Sequence, residues 1–288
     1  MTHLPATAPE PERISVDRVL GFVTRVTERH PDGRVLSFES RRNRKGLGPR
    51  QVAAGGPAPA VDLRPLWAPS APGWWIAVLF MVGSLLFVVG SVPAYANAVG
   101  ARPDAITYFI GSLFFTSASY LQFVQAISES DTASTTPGRR RWFAWQPHRI
   151  DWWATVVQLV GTLAFNVTTF AALASDLTTQ QQYRLVWAPD MVGSVFFLVS
   201  GLLAWFEVCH GWWRVDRHDV AWWASGLNLL GCIAFQVSAV AAFVRPATGG
   251  EINVNIAIYG TLVGAAFFLV GAYLLLPEVR AARAARQA

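Results

Sequence analysis

The residues of this 288-residue chain whose types and spacing could do chemistry fall into three groups. The first is imidazole with carboxylate. Glu207 and His210 stand three apart, on one helical face, while His148 and His218 each lie four residues before a Trp-Trp pair. Such imidazoles could converge on a metal or an anionic headgroup. With no Cys or carboxylate partners at zinc spacing, the plainer reading is solvated side chains at loops and a helix exit. The second group is amide. Gln158 and Asn166 flank Thr162, and Asn228 and Gln236 flank Cys232, each set running at i, i+4, i+8 within an apolar stretch. A face of this kind lines a polar path for a small solute, or, more plainly, ties helices together by hydrogen bonds of roughly 0.6 kcal/mol each. The third is a set at one recurring position, since Gln125, Glu207 and Glu278 each follow a Phe by ten residues. It reads as a gate or cation site, or as a helix-end ring that bonds arginines of the loops.

Nothing here assembles into an enzyme. The chain has no glycine-rich phosphate loop after a strand, no Gly-x-Ser-x-Gly, no His-Glu-x-x-His and no paired catalytic carboxylates. No catalytic activity and no cofactor are expected.

The elements that must position these residues are apolar. The composition is 53% hydrophobic and 14% charged, with a mean hydropathy of +0.34, against about a quarter charged in an average soluble domain. Six blocks free of Lys, Arg, Asp and Glu, the fourth being the short Met191 to Phe206, predict membrane-spanning helices at about 74–95, 105–127, 152–174, 188–208, 221–244 and 254–276. Each approaches or exceeds the roughly 20 residues that cross a bilayer. Ion- and proton-coupled pumps usually keep an ionisable group at depth, so a driven transporter is disfavoured.

One pattern recurs in all six blocks. Gly83, Gly111, Gly161, Gly193, Gly231 and Gly264 are each followed four residues later by Phe87, Phe115, Phe165, Phe197, Phe235 and Phe268, and seven later by a small residue. The pairs Trp74-Trp75, Trp152-Trp153 and Trp222-Trp223 open every odd block nine residues before its Gly. The chain therefore reads as three tandem helical hairpins. A small residue every seven positions keeps a side-chain-poor seam against a neighbouring helix, which lets backbones approach where lipid supplies no hydrophobic drive. The expected fold is all-α, with six transmembrane helices packed through Gly and Phe.

Tandem helices reading Gly-Ser-x-x-Phe-x-x-Gly-Ser, as in Gly83 to Ser91, resemble the YrhK-like family of small bacterial membrane proteins. The resemblance covers each hairpin, roughly residues 74–277, and leaves the N-terminal region outside. It implies an integral membrane fold and brings no activity or site residues.

Charge gives the orientation. Twenty Lys and Arg fall on one side of the blocks, in residues 1–73, the second and fourth loops and the tail, and only Arg102, Arg184 and Arg245 on the other. The positive-inside rule puts both termini in the cytoplasm of a multi-pass cell-membrane protein. Clusters at Arg41 to Arg44 and Arg139 to Arg141 are expected to attract anionic lipid headgroups. Nucleic acid is not an expected partner, because the charge sits beside apolar spans. Residues 1–12 read as disordered. The stretch 21–40 reads as a small hairpin about Pro31-Asp32-Gly33, in competition with an amphipathic helix using Val16, Val19, Leu20, Val23 and Val26. This basic N-terminal region, 1–73, could meet a protein partner, and residues 278–288 form a basic tail. No signal peptide is expected in the first 70 residues, and Cys209 and Cys232 are expected to be free thiols.

Overall fold

A computed structural model of the chain describes residues 11–52, 67–128, 141–245 and 248–287. The expected disorder of residues 1–12 lies almost wholly outside them, as do Arg139 and Arg140 and most of the Gly- and Pro-rich linker before Trp67.

The first element is not helical, which corrects the all-α expectation. Strands β1 (Glu12–Val19), β2 (Phe22–Arg29), β3 (Val35–Glu39) and β4 (Arg50–Gln51) form an antiparallel sheet in the order β1-β2-β3-β4. Val19 pairs with Phe22 across a two-residue turn in which Leu20 and Gly21 both take positive φ, +53° and +84°. That turn breaks the competing amphipathic helix in its middle. β-Branched residues alternate on either side, and Val26, Leu36 and Phe38 form a small core with Val16 and Val23 packed on it. Between β3 and β4 runs one short helix, α1 (Ser40–Arg44), ended by Gly46 at φ +69°.

The remainder is mostly helical: α2 (Pro72–Gly90), α3 (Pro93–Val99), α4 (Ala101–Ser128), α5 (Ile150–Ala171), α6 (Thr179–Gln181), α7 (Ala188–Cys209), α8 (Val220–Ala241), α9 (Val254–Tyr273) and α10 (Leu275–Gln287). A π-helical turn, Gln182–Trp187, joins α6 to α7. Among the described residues five helices are long and apolar enough to cross a membrane: Pro72–Gly90, Ile150–Ala171, Thr179–Cys209, Val220–Ala241 and Val254–Ala285. By composition this is a multi-pass membrane protein. The helix that answers to the expected second span, α4, is long enough at 28 residues. It falls short of the others in apolar character because Thr107, Ser112, Thr116, Ser117, Ser119, Gln122 and Gln125 interrupt it. The C-terminal residues are no loose tail either, since Leu275, Leu276, Val279 and Ala282 of α10 are buried in the main core.

The long helices close into a ring: α2 packs on α4, α4 on α5, α5 on α7, α7 on α8, α8 on α9, and α9 back on α2. Gly and Phe lock each pair reciprocally. A Cβ on Gly111 would stand 2.8 Å from the Phe87 ring, and one on Gly83 would stand 3.0 Å from the Phe115 ring. The same exchange joins Gly161 to Phe197 and Gly193 to Phe165, and joins Gly231 to Phe268 and Gly264 to Phe235. The six rings meet on the axis. Phe115, Phe197 and Phe268 form a triangle with centroids 6.0, 6.1 and 6.5 Å apart. Phe235 touches Phe87 at 6.0 Å and Phe165 at 5.8 Å. The middle of the bundle is solid aromatic packing.

Candidate functional site

Helix α1 sits on one end of the ring and reaches all three helix pairs with three of its side chains. Arg41 reaches the third pair: its Nη1 and Nη2 donate to Glu278 at 2.6 and 2.9 Å, and its Nε donates to Ser225 Oγ at 3.2 Å. Arg44 bridges the first and second, donating to Gln122 Oε1 at 2.9 Å and to Glu207 Oε2 at 2.8 Å. Asn43 donates to Asp151 at 2.7 Å and to the Ala126 carbonyl at 3.3 Å. All three are buried, as are Glu207, Glu278 and Asp151. Burying a guanidinium without a partner costs several kcal/mol, so these geometries are what keep α1 inside the protein. The two-point grip of Arg41 on Glu278 is the stronger form of such a pair.

The rest of the N-terminal unit is tied down around this helix. Val23 makes a parallel bridge with Arg149, whose guanidinium lies 5.9 Å from the Phe38 ring and pairs with Asp151 at 2.6 Å. Arg25 Nη2 donates to His210 Nε2 at 2.5 Å, so the ring's proton sits on Nδ1, which faces Thr24 Oγ1 at 3.1 Å. Burial first, then the neighbouring Arg25 charge, lowers the His210 pKa from 6.5 to about 4. After α1 the chain presses on α2, and a Cβ on Gly73 would come within 2.5 Å of the Lys45 carbonyl. Only glycine leaves room for that approach.

Under α1 lies a cavity of about 50 Å³. Its floor is the ring triangle Phe115, Phe197 and Phe268, its wall carries Gln158, Ser200, Ser225, Asn228 and Cys232, and its roof is Arg41, Arg44 and Lys45. Lys45 stands 5.3 Å from the centroid of Phe80. Burial, then the Arg44 and Arg41 charges, push its pKa well below 10.5.

The residues singled out from sequence divide clearly. Of the polar faces, Gln158 and Asn228 line the cavity. Asn166 and Gln236 do not, and instead tie helices, with Asn166 donating to Thr116 at 2.9 Å and Gln236 accepting from Ser194 at 3.1 Å. Of the ring Gln125, Glu207 and Glu278, both acids grip arginines of α1, and Gln125 lies 3.5 Å from where a Gly46 Cβ would be. The imidazoles are not brought together. His210 turns to the sheet while Glu207 turns to Arg44, and His148 and His218 are exposed on the loops before α5 and α8. Among the described residues no three His, Cys, Asp or Glu gather as a metal site. Cys209 and Cys232 are free and buried.

Within the Arg41 to Arg44 cluster, Arg41 and Arg44 point inward to carboxylates and Arg42 donates to the Gly48 carbonyl at 3.1 Å. Sequence reasoning missed Lys45 as a roof group and Asp151 as a partner of Asn43. The signal available was charge matching between an Arg-rich pentapeptide and two acids at a repeated helix-end position. The tryptophans at this end fasten the loops that precede their helices: Trp75, Trp153 and Trp223 each donate Nε1 to the carbonyl six residues earlier, at 2.8, 2.9 and 3.1 Å.

No protein-family model matches the chain, and comparison with curated proteins and with solved structures likewise gives no match.

Proposed function

We propose that this chain is a non-enzymatic membrane interaction protein in which a helical bundle of six spans serves as a dock for its own N-terminal β-unit. The observation that carries this reading is the insertion of α1 into the bundle end through Arg41–Glu278 and Arg44–Glu207, two pairs whose side chains are no more than 8% exposed. A bundle that served only as an anchor would have no need of buried charge at its end. Here the charge specifies one seat for one helix. In this proposal α4 is the remaining span, both termini are cytoplasmic by the positive-inside rule, and the sheet faces the cytoplasm at the lipid headgroup level. The exposed outer strand β1, with Glu12 to Ser15 open, is the surface offered to a protein partner. The YrhK-like likeness of the hairpins is compatible with this and adds no activity.

A passive facilitator for a small solute is the second reading, favoured by Gln158 and Asn228 facing an internal cavity. Against it stands the layer of Phe115, Phe197 and Phe268, whose rings are in contact across the axis directly beneath that cavity. Full-length protein in liposomes is expected to pass no small solute above empty vesicles. Flux that disappears in Gln158→Leu with Asn228→Leu would overturn the dock in favour of the facilitator.

A further inference from the structure

The cavity beneath α1 is roofed by cations, one of which has no ion-pair partner among the described residues. Three cations form its roof, Arg41, Arg44 and Lys45. Two carboxylates answer them, Glu278 on Arg41 and Glu207 on Arg44. Two further acids lie nearby, and neither makes an ion pair with Lys45. Asp151 is held by Arg149 and Asn43, and Asp219, which caps α8 by accepting from the Ala221 amide at 2.9 Å, acts on Arg41. Lys45 is left with the face of Phe80 and makes no side-chain hydrogen bond to a described residue. Its neighbours Arg41 and Arg44 repel it. A half-buried ammonium in that position is stabilised by a negative charge brought beside it.

The wall below supplies hydrogen-bond donors. Gln158 makes no hydrogen bond to a described residue, and Asn228 has only the weak acceptor Cys232 Sγ at 3.9 Å. Ser225 Oγ accepts from Arg41 Nε and so keeps its own proton to donate. At about 50 Å³, against the roughly 10–15 Å³ that one water needs by the same measure, the space holds a halide-sized ion with a water. A single roof cation without a described counter-charge suits a monovalent ion better than a divalent one.

We infer that the cavity under α1 is a binding site for a small monovalent anion of halide size, held by Lys45 with the amides of Gln158 and Asn228 and closed by Arg41 and Arg44. The site exists only while α1 is seated, so the inference rests on the docked arrangement. The anion then acts as a latch: it binds the docked form, is released with undocking, and makes docking depend on anion concentration by mass action.

The test uses the full chain in detergent and bromide as the probe, with gluconate, too large for the space, at equal ionic strength as reference. Amide exchange at Lys45 and Leu47 reports whether α1 is seated, because both donate within its fold, to the Arg41 and Arg42 carbonyls. Bromide is expected to raise the melting temperature and slow these amides relative to gluconate. Lys45→Met is expected to weaken the bromide response roughly tenfold or more, as loss of a charge-assisted contact does. Asn228→Leu, which leaves the roof intact, should also weaken it. A bromide anomalous-scattering peak beside Lys45 in crystals is the direct readout. If the amides are protected yet melting and exchange are the same in bromide and gluconate, or the bromide response survives both substitutions, the anion site is refuted and docking stands. If the amides exchange freely in every salt, docking itself fails and the site with it.

Discussion

Removing the carboxylate of Glu278 gives the sharpest consequence of the seated helix. Glu278→Gln keeps shape and one acceptor but leaves the Arg41 guanidinium, whose side chain is 6% exposed, without its counter-charge. Breaking such a pair from one side costs about 3–5 kcal/mol, which is roughly 150- to 5,000-fold in an equilibrium constant. The protein has an escape that a fully enclosed pair lacks: α1 can leave and return Arg41 to water. The observed cost therefore stops at the free energy of docking, and it falls on α1 and the sheet before it reaches the Gly–Phe core. Hydrogen exchange resolves the two. The Lys45 and Leu47 amides, bonded to Arg41 and Arg42 carbonyls at 3.1 and 2.9 Å, should exchange about 100-fold faster or more in Glu278→Gln, while amides near Phe165 and Phe235 keep the parent rate. Replacing both partners, Arg41→Met with Glu278→Met, should restore protection to within about 1 kcal/mol of the parent, because a packed apolar pair is nearly equivalent to a buried ion pair. A single-variant effect below about tenfold (~1.4 kcal/mol), or a double variant no better than the single, would refute the claim that this pair seats the helix.

Two further outcomes follow from local geometry. Between about pH 6.5 and 4 the undocked His210 imidazole holds a proton that the docked one, with its pKa lowered to about 4, does not, so docking should weaken as pH falls through that window. His210→Asn, which suits the left-handed backbone at φ 47° and removes the imidazole that faces Arg25, Glu39, Asp17 and Arg214, should flatten the pH dependence of exchange in β2. Gly231→Ala would place a Cβ 2.6 Å from the Phe268 ring and should lower bundle stability by about 1–3 kcal/mol, with partial recovery on adding Phe268→Leu, both read from the thermal midpoint.

The parts of this architecture that could be read from sequence are those with a short period. A Gly with Phe four later is one turn of one helix, so its packing role is visible within eight residues, and all three pairs use it reciprocally. The N-terminal sheet was half legible: Pro31-Asp32-Gly33 marks a turn, but the Leu20-Gly21 turn hides inside a run that also fits a helical period. The seat of α1 was legible from one side only: Gln125, Glu207 and Glu278 read as a ring that bonds arginines, but nothing local names the arginines of α1 as its partners. Ser-Arg-Arg-Asn-Arg looks like a solvated basic patch until the chain brings Glu207 and Glu278, 163 and 237 residues away from their partners, to meet it. Burial of charge is decided by long-range pairing, and no local window contains it.

The place where the sixfold pattern fails is where the cavity forms. On the α1 side of the aromatic layer the odd helices carry Phe80, Gln158 and Asn228 at one equivalent position, three before the Gly. The even helices carry Ala118, Ser200 and Gly271 seven after it. In the first pair Phe80 fills the space beside the axis, touching Phe115 at 5.7 Å. In the other two an amide replaces the ring and stands with Ser200 or Gly271 at the cavity wall, so volume and polarity are missing and present together. Six-fold Gly and Phe seal the centre. Two departures from a third repeat of Phe80 open the end, and the opening is what α1 covers with its arginines. Restoring the pattern, with phenylalanine at 158 and 228, would complete the core and fill the space that the arginines of α1 close.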